Sequence, residues 1–178
     1  NGDIFFQNRK ASNKYYDAIP EIVEEYMGKV NEKLGTDYKL FNYYGAPDAD
    51  RVIVAMGSIC DVAEEVMTAT AQGEKVGLVK VRLFRPWRAD KLLEAIPATC
   101  KKIAVLDRTK EPGAQGEPLY LDVVTSVANA GRDIQVIGGR YGLGSKDTPP
   151  ASVFAVYNEL KKDEMKRQFT IGIVDDVT

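Results

Sequence analysis

The chain has 178 residues, of which 44% are hydrophobic and 28% are charged; this is the composition of one soluble globular domain and excludes a disordered or collagen-like chain. With 24 basic and 26 acidic residues, the formal net charge is −2, so no whole-chain field attracts nucleic acid or an anionic membrane. The chain contains no histidine, which excludes serine triads and histidine-ligated zinc and argues against a complete enzyme.

The first segment, residues 5–34, has apolar side chains close to a helical spacing and predicts a helical arm. Pro20 predicts a break or the first turn of a second helix, and Gly35 predicts the stop. Residues 39–47 are aromatic and rich in turn formers, so we expect an extended connector that lies against another surface. We place the boundary near Gly45: residues 1–44 are the arm and connector, and residues 45–178 are an α/β domain.

Apolar segments alternate with helical segments over the rest of the chain. The predicted strands are residues 51–56, 75–83, 102–107, 133–137 and 169–174. The predicted helices are residues 61–72, with Gly73 as the stop, residues 90–96, residues 119–129, and one that opens near residues 147–150. This alternation favours a mostly parallel sheet between two layers of helices, which is an α/β fold.

Cys60 and Cys100 lie far apart in the sequence and do not form a CxxC pair. The chain alone therefore cannot assemble an iron-sulfur cluster or a zinc site, and we expect free, buried thiols in a reducing compartment. No apolar run approaches the roughly 20 residues that span a bilayer, and the first residues lack the order of a signal peptide. These features predict a cytoplasmic protein without a membrane partner.

A glycine-rich segment, residues 138–146, follows a predicted strand and precedes a helix, a position in which backbone amides can hold phosphate. It lacks the adjacent Gly-Lys of a Walker loop because Ser145 intervenes, and it lacks the G-x-G-x-x-G spacing of dinucleotide-binding loops. It also follows a late strand, whereas the dinucleotide motif follows the first. A close approach to a neighbouring domain is therefore preferred over nucleotide binding.

A second loop, residues 108–118, begins at the carboxyl end of a predicted strand, where α/β sheets bind their ligands. It contains Arg108, Lys110, Glu111 and Glu117 beside glycines and prolines. Asp107, at the strand end, could act as a base only if a pocket raised its pKa. Because the chain has no histidine, salt bridges across a domain interface are preferred over catalysis.

Basic residues recur between positions 80 and 91 and are interleaved with Phe84 and Trp87, a combination that can bind nucleic acid. Strand alternation places Lys80 and Arg82 on one face and apolar residues on the other. A solvated basic face at an exposed strand end explains the pattern, so we predict no nucleic-acid partner.

Three segments, residues 55–58, 79–87 and 105–114, resemble the second domain of pyruvate:ferredoxin (flavodoxin) oxidoreductases. Residues 138–147 and 172–178 are similar to the same enzymes, so the resemblance covers nearly the whole chain. More distantly, the segment ending at Pro86 is similar to the carboxy-terminal domain of transketolases and of 2-oxoacid dehydrogenase β subunits. The resemblance implies a three-layer α/β/α sandwich with a Rossmann-like, five-stranded sheet in which one strand is antiparallel.

The resemblance also implies the activity of the whole enzyme. Such enzymes are large, usually dimeric, cytoplasmic proteins that use thiamine diphosphate, magnesium, 4Fe-4S clusters and coenzyme A. They convert pyruvate to acetyl-CoA and carbon dioxide and pass electrons to ferredoxin or flavodoxin. This chain lacks both a set of cluster cysteines and the Gly-Asp-Gly motif of a diphosphate-magnesium site. We therefore expect a fragment of a longer polypeptide that is inactive by itself, with no cofactor, metal or catalytic residue of its own.

Two functions remain open for such a domain. A scaffold would dock on the other domains of the polypeptide through interface residues Arg108, Lys110, Glu111, Arg140 and Tyr141. Alternatively, a basic wall would hold the phosphates of coenzyme A at a domain interface, through Lys110, Arg140 and Lys146. An independent small enzyme or nucleotide-binding protein is disfavoured, because the motifs fail and histidine is missing.

Overall fold

Six strands form one sheet in the computed structural model, which describes residues 1–70 and 74–174. The strands are β1 (Phe41–Gly45), β2 (Arg51–Ala55), β3 (Val76–Val81), β4 (Lys102–Asp107), β5 (Gln135–Arg140) and β6 (Gln168–Thr170). Their spatial order is β1-β3-β2-β4-β5-β6. Strand β1 pairs antiparallel with β3, and the other pairs of described strands are parallel.

Helices cover both faces of this sheet. Those in the described residues are α1 (Gly2–Ala11), α2 (Asn13–Leu34), α3 (Ile59–Thr70), α4 (Ala89–Ala95), α5 (Pro118–Asn129) and α6 (Pro150–Lys161), with a short 3-10 helix at Leu143–Ser145. Successive side chains of β2 point to opposite faces of the sheet. Ile53 packs in the hydrophobic cluster that contains α3 and α6, whereas Val54 packs in the cluster that contains α4 and α5. The three-layer α/β/α prediction is confirmed.

The sheet has one strand more than we expected. The additional strand is β1, which lies within the predicted connector and pairs with β3 from Phe41 opposite Val81 to Gly45 opposite Gly77. Phe41 is buried, and the ring of Tyr43 lies over Gly77, where a larger residue would place its side chain. The aromatic segment therefore forms the antiparallel edge of the sheet. The division of the chain into two parts near Gly45 stays a prediction.

Strand β5 continues into the glycine-rich segment. We expected it to end at Ile137, but it runs to Arg140. A Cβ atom on Gly139 would lie 2.5 Å from the ring of Phe169 and 2.7 Å from the side chain of Leu106. Glycine is needed here because the strand packs closely against these two side chains, so the expectation of a loop from residue 138 was wrong.

The helical arm does not break at Pro20. Helix α2 continues through this proline for 22 residues, although proline removes one helical hydrogen bond. Pro20 is buried, and Val23 and Met27 pack against the core on the α4 and α5 face, so tertiary packing supports the helix. The predicted stop is confirmed: Gly35 has a φ of 67° and its N–H donates to the carbonyl oxygen of Asn31 at 2.9 Å.

Two expectations concern residues outside the described ranges. The predicted helix stop at Gly73 lies in the gap at residues 71–73, and the last four residues of the closing segment, 175–178, also lie outside. Within residues 1–70 and 74–174, none of the helices combines the length and the apolar character needed to cross a membrane.

Candidate functional site

The parallel strands all end at the same side of the sheet, which is the side formed by their carboxyl ends and not by an edge strand. We call this side the candidate edge. At this edge β2 is followed by Ser58, β4 by Arg108 and β5 by Tyr141. After β2 the chain forms β3 on one side of β2 and then crosses over to form β4 on the other side of β2. The strand order therefore reverses between β2 and β4. Open α/β sheets bind ligands at such a reversal. Both loops that the sequence singled out begin at this edge, as predicted.

Asp107, the last residue of β4, holds the beginning of α5. Its Oδ1 and Oδ2 atoms accept hydrogen bonds from the N–H groups of Leu119 and Tyr120, each at 3.0 Å. Asp107 is 1% exposed. Burial raises the pKa of its carboxyl group, and the two N–H donors oppose this shift. Because both oxygens accept hydrogen bonds at a helix N-terminus, Asp107 serves as a helix cap.

Arg140 and Glu117 form an ion pair beneath the surface of this edge. The Nε atom of Arg140 donates to Oε1 of Glu117 at 2.8 Å, and Nη2 donates to Oε1 of Gln168 at 2.7 Å. The N–H of Glu111 also donates to Oε1 of Glu117, at 3.3 Å. One guanidinium therefore joins β5, β6 and the loop before α5. Arg140, which we expected to face a neighbouring domain or coenzyme A, is engaged inside the chain.

Arg108 and Tyr141 hold the turn after β5. The Nε atom of Arg108 donates to the carbonyl oxygen of Gly142 at 3.1 Å, and the φ of Gly142 is 65°. The hydroxyl of Tyr141 donates to the carbonyl oxygen of Met56 at 3.1 Å, which ties the end of β5 to the end of β2. Tyr141 is 5% exposed, and burial raises the pKa of its hydroxyl. We expected Tyr141 at an interface, but its side chain belongs mainly to the core of this chain.

Lys110 and Lys146 are exposed at the same edge. Neither lysine forms an ion pair with the described residues. Lys146, Arg108, Ser58 and Asp147 line an open cleft of about 410 Å³, and a neighbouring cleft of about 350 Å³ shares Ser58 and Arg108 with it. Two cations and one carboxylate give the larger cleft a modest positive character.

The cysteines are free and buried, as predicted. Burial raises the pKa of the Cys60 and Cys100 thiols to about 11, so both are protonated at neutral pH. The part of the chain that the structure describes contains no group of three or more histidine, cysteine, aspartate or glutamate side chains placed to hold a metal ion. The candidate edge therefore offers cationic side chains and backbone groups as its chemistry.

The basic residues between positions 80 and 91 find partners within the chain. Lys80 forms ion pairs with Glu64 and Asp61 and lies over the ring of Tyr44. Its side chain is only 8% exposed, because α3 covers this face of β3, so the predicted solvated face is wrong at Lys80. The remaining pairs are Arg82 with Asn42, Arg85 with Asp122, Arg88 with Asp90, and Lys91 with Glu94.

Comparison with known proteins connects these features to a family. Residues 49–153 match the family model for pyruvate:ferredoxin oxidoreductase core domain II. The chain is 56% identical over 179 residues to the pyruvate:ferredoxin oxidoreductase of Moorella thermoacetica, and 52% identical over 179 residues to the pyruvate-flavodoxin oxidoreductase of Klebsiella pneumoniae. The chain belongs to the pyruvate:ferredoxin oxidoreductase family.

The chain corresponds to one domain of its relatives in this family. The alignments cover all of this chain but only 15% of either relative. Among solved structures, the 2-oxoglutarate:ferredoxin oxidoreductase of Magnetococcus marinus, with 2-oxoglutarate, coenzyme A and succinyl-CoA bound, has a TM-score of 0.50 and 21% identity. That match covers 79% of this chain and 23% of the other, and it supports the fold. The resemblance inferred from the sequence is confirmed.

Proposed function

We propose that this chain is a non-catalytic scaffold and interface domain of a pyruvate:ferredoxin (flavodoxin) oxidoreductase. The whole enzyme converts pyruvate and coenzyme A to acetyl-CoA and carbon dioxide, and passes electrons to ferredoxin or flavodoxin. Thiamine diphosphate, magnesium, 4Fe-4S clusters and coenzyme A bind to its other domains. The enzyme is a cytoplasmic homodimer, and this chain contacts other domains of the same polypeptide. The match to core domain II and the names of the full-length relatives support this proposal.

The main support for the scaffold role is that charged groups at the candidate edge bind other groups of the same chain. Both carboxylate oxygens of Asp107 bind the N-terminus of α5, and the guanidinium of Arg140 binds Glu117 and Gln168. In α/β proteins that bind a ligand at this edge, helix N-termini and charged side chains face the ligand. Here the same groups stabilise the domain itself.

The loop after β4 is well suited to docking. It is fixed at one end by the Asp107 cap and at the other by the pair between Glu117 and Arg140. Its side chains Arg108, Lys110 and Glu111 are exposed. Because the two ends of this loop are already fixed, salt bridges with a neighbouring domain would mainly have to order the side chains and not the loop as a whole.

Titration of the chain with coenzyme A and with thiamine diphosphate tests this proposal directly. A ligand of the native state produces heat in a calorimeter and raises the melting temperature. We expect neither signal from either cofactor. A micromolar coenzyme A signal that is lost in Lys146→Ala would overturn the scaffold role and make this domain part of the substrate site.

The larger cleft favours one alternative, in which this domain contributes a basic surface for the phosphates of coenzyme A. Lys146 and Arg108 both line this cleft, and Lys110 is exposed at the same edge. In the full-length enzyme, Lys146→Ala would then raise the KM for coenzyme A more than the KM for pyruvate. Lys101→Ala, an exposed lysine just before β4 at the opposite edge, is the matched control. If both variants leave both constants unchanged, this alternative is excluded.

Arg140→Ala is unsuitable as a test of coenzyme A binding, because removal of this guanidinium also breaks the pair with Glu117. A raised KM in that variant would report a displaced loop as readily as a lost phosphate contact. Lys146 makes no ion pair with the described residues and so gives the cleaner test.

A further inference from the structure

Helix α2 has more apolar surface than the core of this chain covers. One stripe, Pro20, Val23 and Met27, packs toward the core on the α4 and α5 face. A second stripe lies beside the first on the helix surface and consists of Tyr15, Ile19, Ile22, Tyr26 and Val30. At 100° per residue, the two stripes together span about 160° of the helix circumference, which is wider than the roughly 100° that packs on one surface. We call the second set the outer stripe.

Four of the five side chains of the outer stripe are exposed in this chain, and Ile19 is half-buried. The exposed fractions are 67% for Tyr15, 50% for Ile22 and 60% for Tyr26. Helix α1 adds Phe5 and Phe6, which are 68% and 74% exposed. Among the described residues, nine of the fourteen exposed large hydrophobic side chains lie in these two helices. Exposed apolar side chains at this density mark an interaction surface.

The position of the outer stripe indicates its occupant. It lies before residue 49, where the match to core domain II begins, whereas the alignments with full-length relatives include it. Those relatives have 85% of their length outside the aligned part, since the chain covers 15% of them. Within the matched core, by contrast, the exposed large hydrophobic side chains of the described residues are Leu121 and Leu143.

We infer that the outer stripe of α2 packs against an apolar surface of another domain of the same oxidoreductase polypeptide. The inference rests on the proposed function and deepens it, because it names a docking surface that is separate from the charged loops. The two surfaces differ in chemistry. The loops offer salt bridges through Arg108 and Lys110, whereas the outer stripe offers aromatic and aliphatic side chains whose burial supplies most of the binding free energy.

Hydroxyl-radical footprinting of Tyr26 tests this inference. We expect the modification rate of Tyr26 to be at least about tenfold lower in the full-length enzyme than in the isolated chain, because a packed ring is shielded from solvent. Tyr120, which is 5% exposed within the core, is the control and should react at the same low rate in both. Equal reactivity of Tyr26 in the two proteins would overturn the inference.

Paired substitutions give a second readout in the full-length enzyme. Ile22→Ser combined with Tyr26→Ser should lower its melting temperature, because these side chains lose buried contacts. The same pair should leave the melting temperature of the isolated chain unchanged, since both residues are exposed there. Glu32→Ser, on the polar face of α2, is the matched control and should be silent in both proteins. An unchanged melting temperature of the doubly substituted full-length enzyme would contradict the inference.

Other outcomes separate this inference from the proposed function. If Tyr26 of the full-length enzyme becomes protected only as the enzyme concentration rises, a second copy covers the outer stripe and the inference is wrong. An active full-length enzyme with reactive Tyr26 overturns only the inference. Coenzyme A binding by the isolated chain, with Tyr26 protected in the full-length enzyme, overturns the scaffold role and leaves the docking surface in place.

Discussion

Replacing Arg140 by methionine removes the guanidinium and keeps an unbranched side chain of similar length. Its partner Glu117 has a side chain that is only 3% exposed, and Arg140 itself is 15% exposed. Glu117 would then hold a buried charge without its cation, and the acceptor Gln168 would lose a donor. Breaking a buried pair from one side costs about 3–5 kcal/mol. For a chain of this size we expect the melting temperature to fall by roughly 2–4 °C per kcal/mol.

Urea unfolding followed by circular dichroism measures this loss. Arg88→Met is the matched control, because Arg88 and Asp90 are 31% and 53% exposed and such pairs contribute less than about 1 kcal/mol. The double variant Arg140→Met, Glu117→Gln should recover part of the lost stability, since no unpaired charge remains buried. The reasoning is refuted if Arg140→Met costs no more than Arg88→Met, or if the two substitutions at the pair are additive.

Three further predictions concern buried groups. Asp107→Asn should lower the free energy of unfolding by about 1–3 kcal/mol, because one N–H of α5 loses its acceptor; calorimetry that shows no change would contradict the capping role. Cys60 and Cys100 should resist a thiol reagent near pH 8 in the native chain and react at once in denaturant, since burial raises both pKa values to about 11. Burial raises the pKa of Glu159, but hydrogen bonds from Lys162 and a backbone N–H outweigh it, and the net pKa is lowered from 4.5. The stability that Glu159 contributes is therefore present above about pH 4.5 and lost below it. Urea midpoints across this range should fall less on acidification in Glu159→Gln than in the parent chain.

The parallel strands were predictable because they are buried on both faces and therefore appear as continuous apolar runs. Strand β4 has the predicted bounds, and β2 differs from prediction by one residue. Strand β1 was missed because a five-residue edge strand that contains Asn42 and Tyr43 shows no clear alternation of apolar and polar residues. The continuity of α2 through Pro20 was also missed, since it depends on packing between distant segments that local sequence does not show.

The location of the candidate edge was predictable, because the ends of parallel strands meet at one side of a sheet. The partners of its charged residues were not. Arg140 pairs with Glu117, which is 23 residues away in the sequence, and Arg108 donates to the carbonyl oxygen of Gly142, which is 34 residues away. Such pairs follow from strand order and register, which the residue pattern alone does not determine. A usable signal for Glu117 was its place directly before Pro118, where the N-terminus of a helix favours an acidic side chain.

The use of the α5 N-terminus supports the proposed scaffold role over phosphate binding more than any single charge does. In a phosphate-binding α/β protein, the first N–H groups of such a helix remain free for the ligand. Here the N–H groups of Leu119 and Tyr120 already bind the carboxylate of Asp107, and that carboxylate is buried. An incoming phosphate would have to displace a buried acid and approach it as a second negative charge, which is unfavourable at low dielectric. Coenzyme A would therefore have to contact this edge away from the α5 N-terminus, in the cleft that Arg108 and Lys146 line, and the Lys146→Ala variant tests that contact.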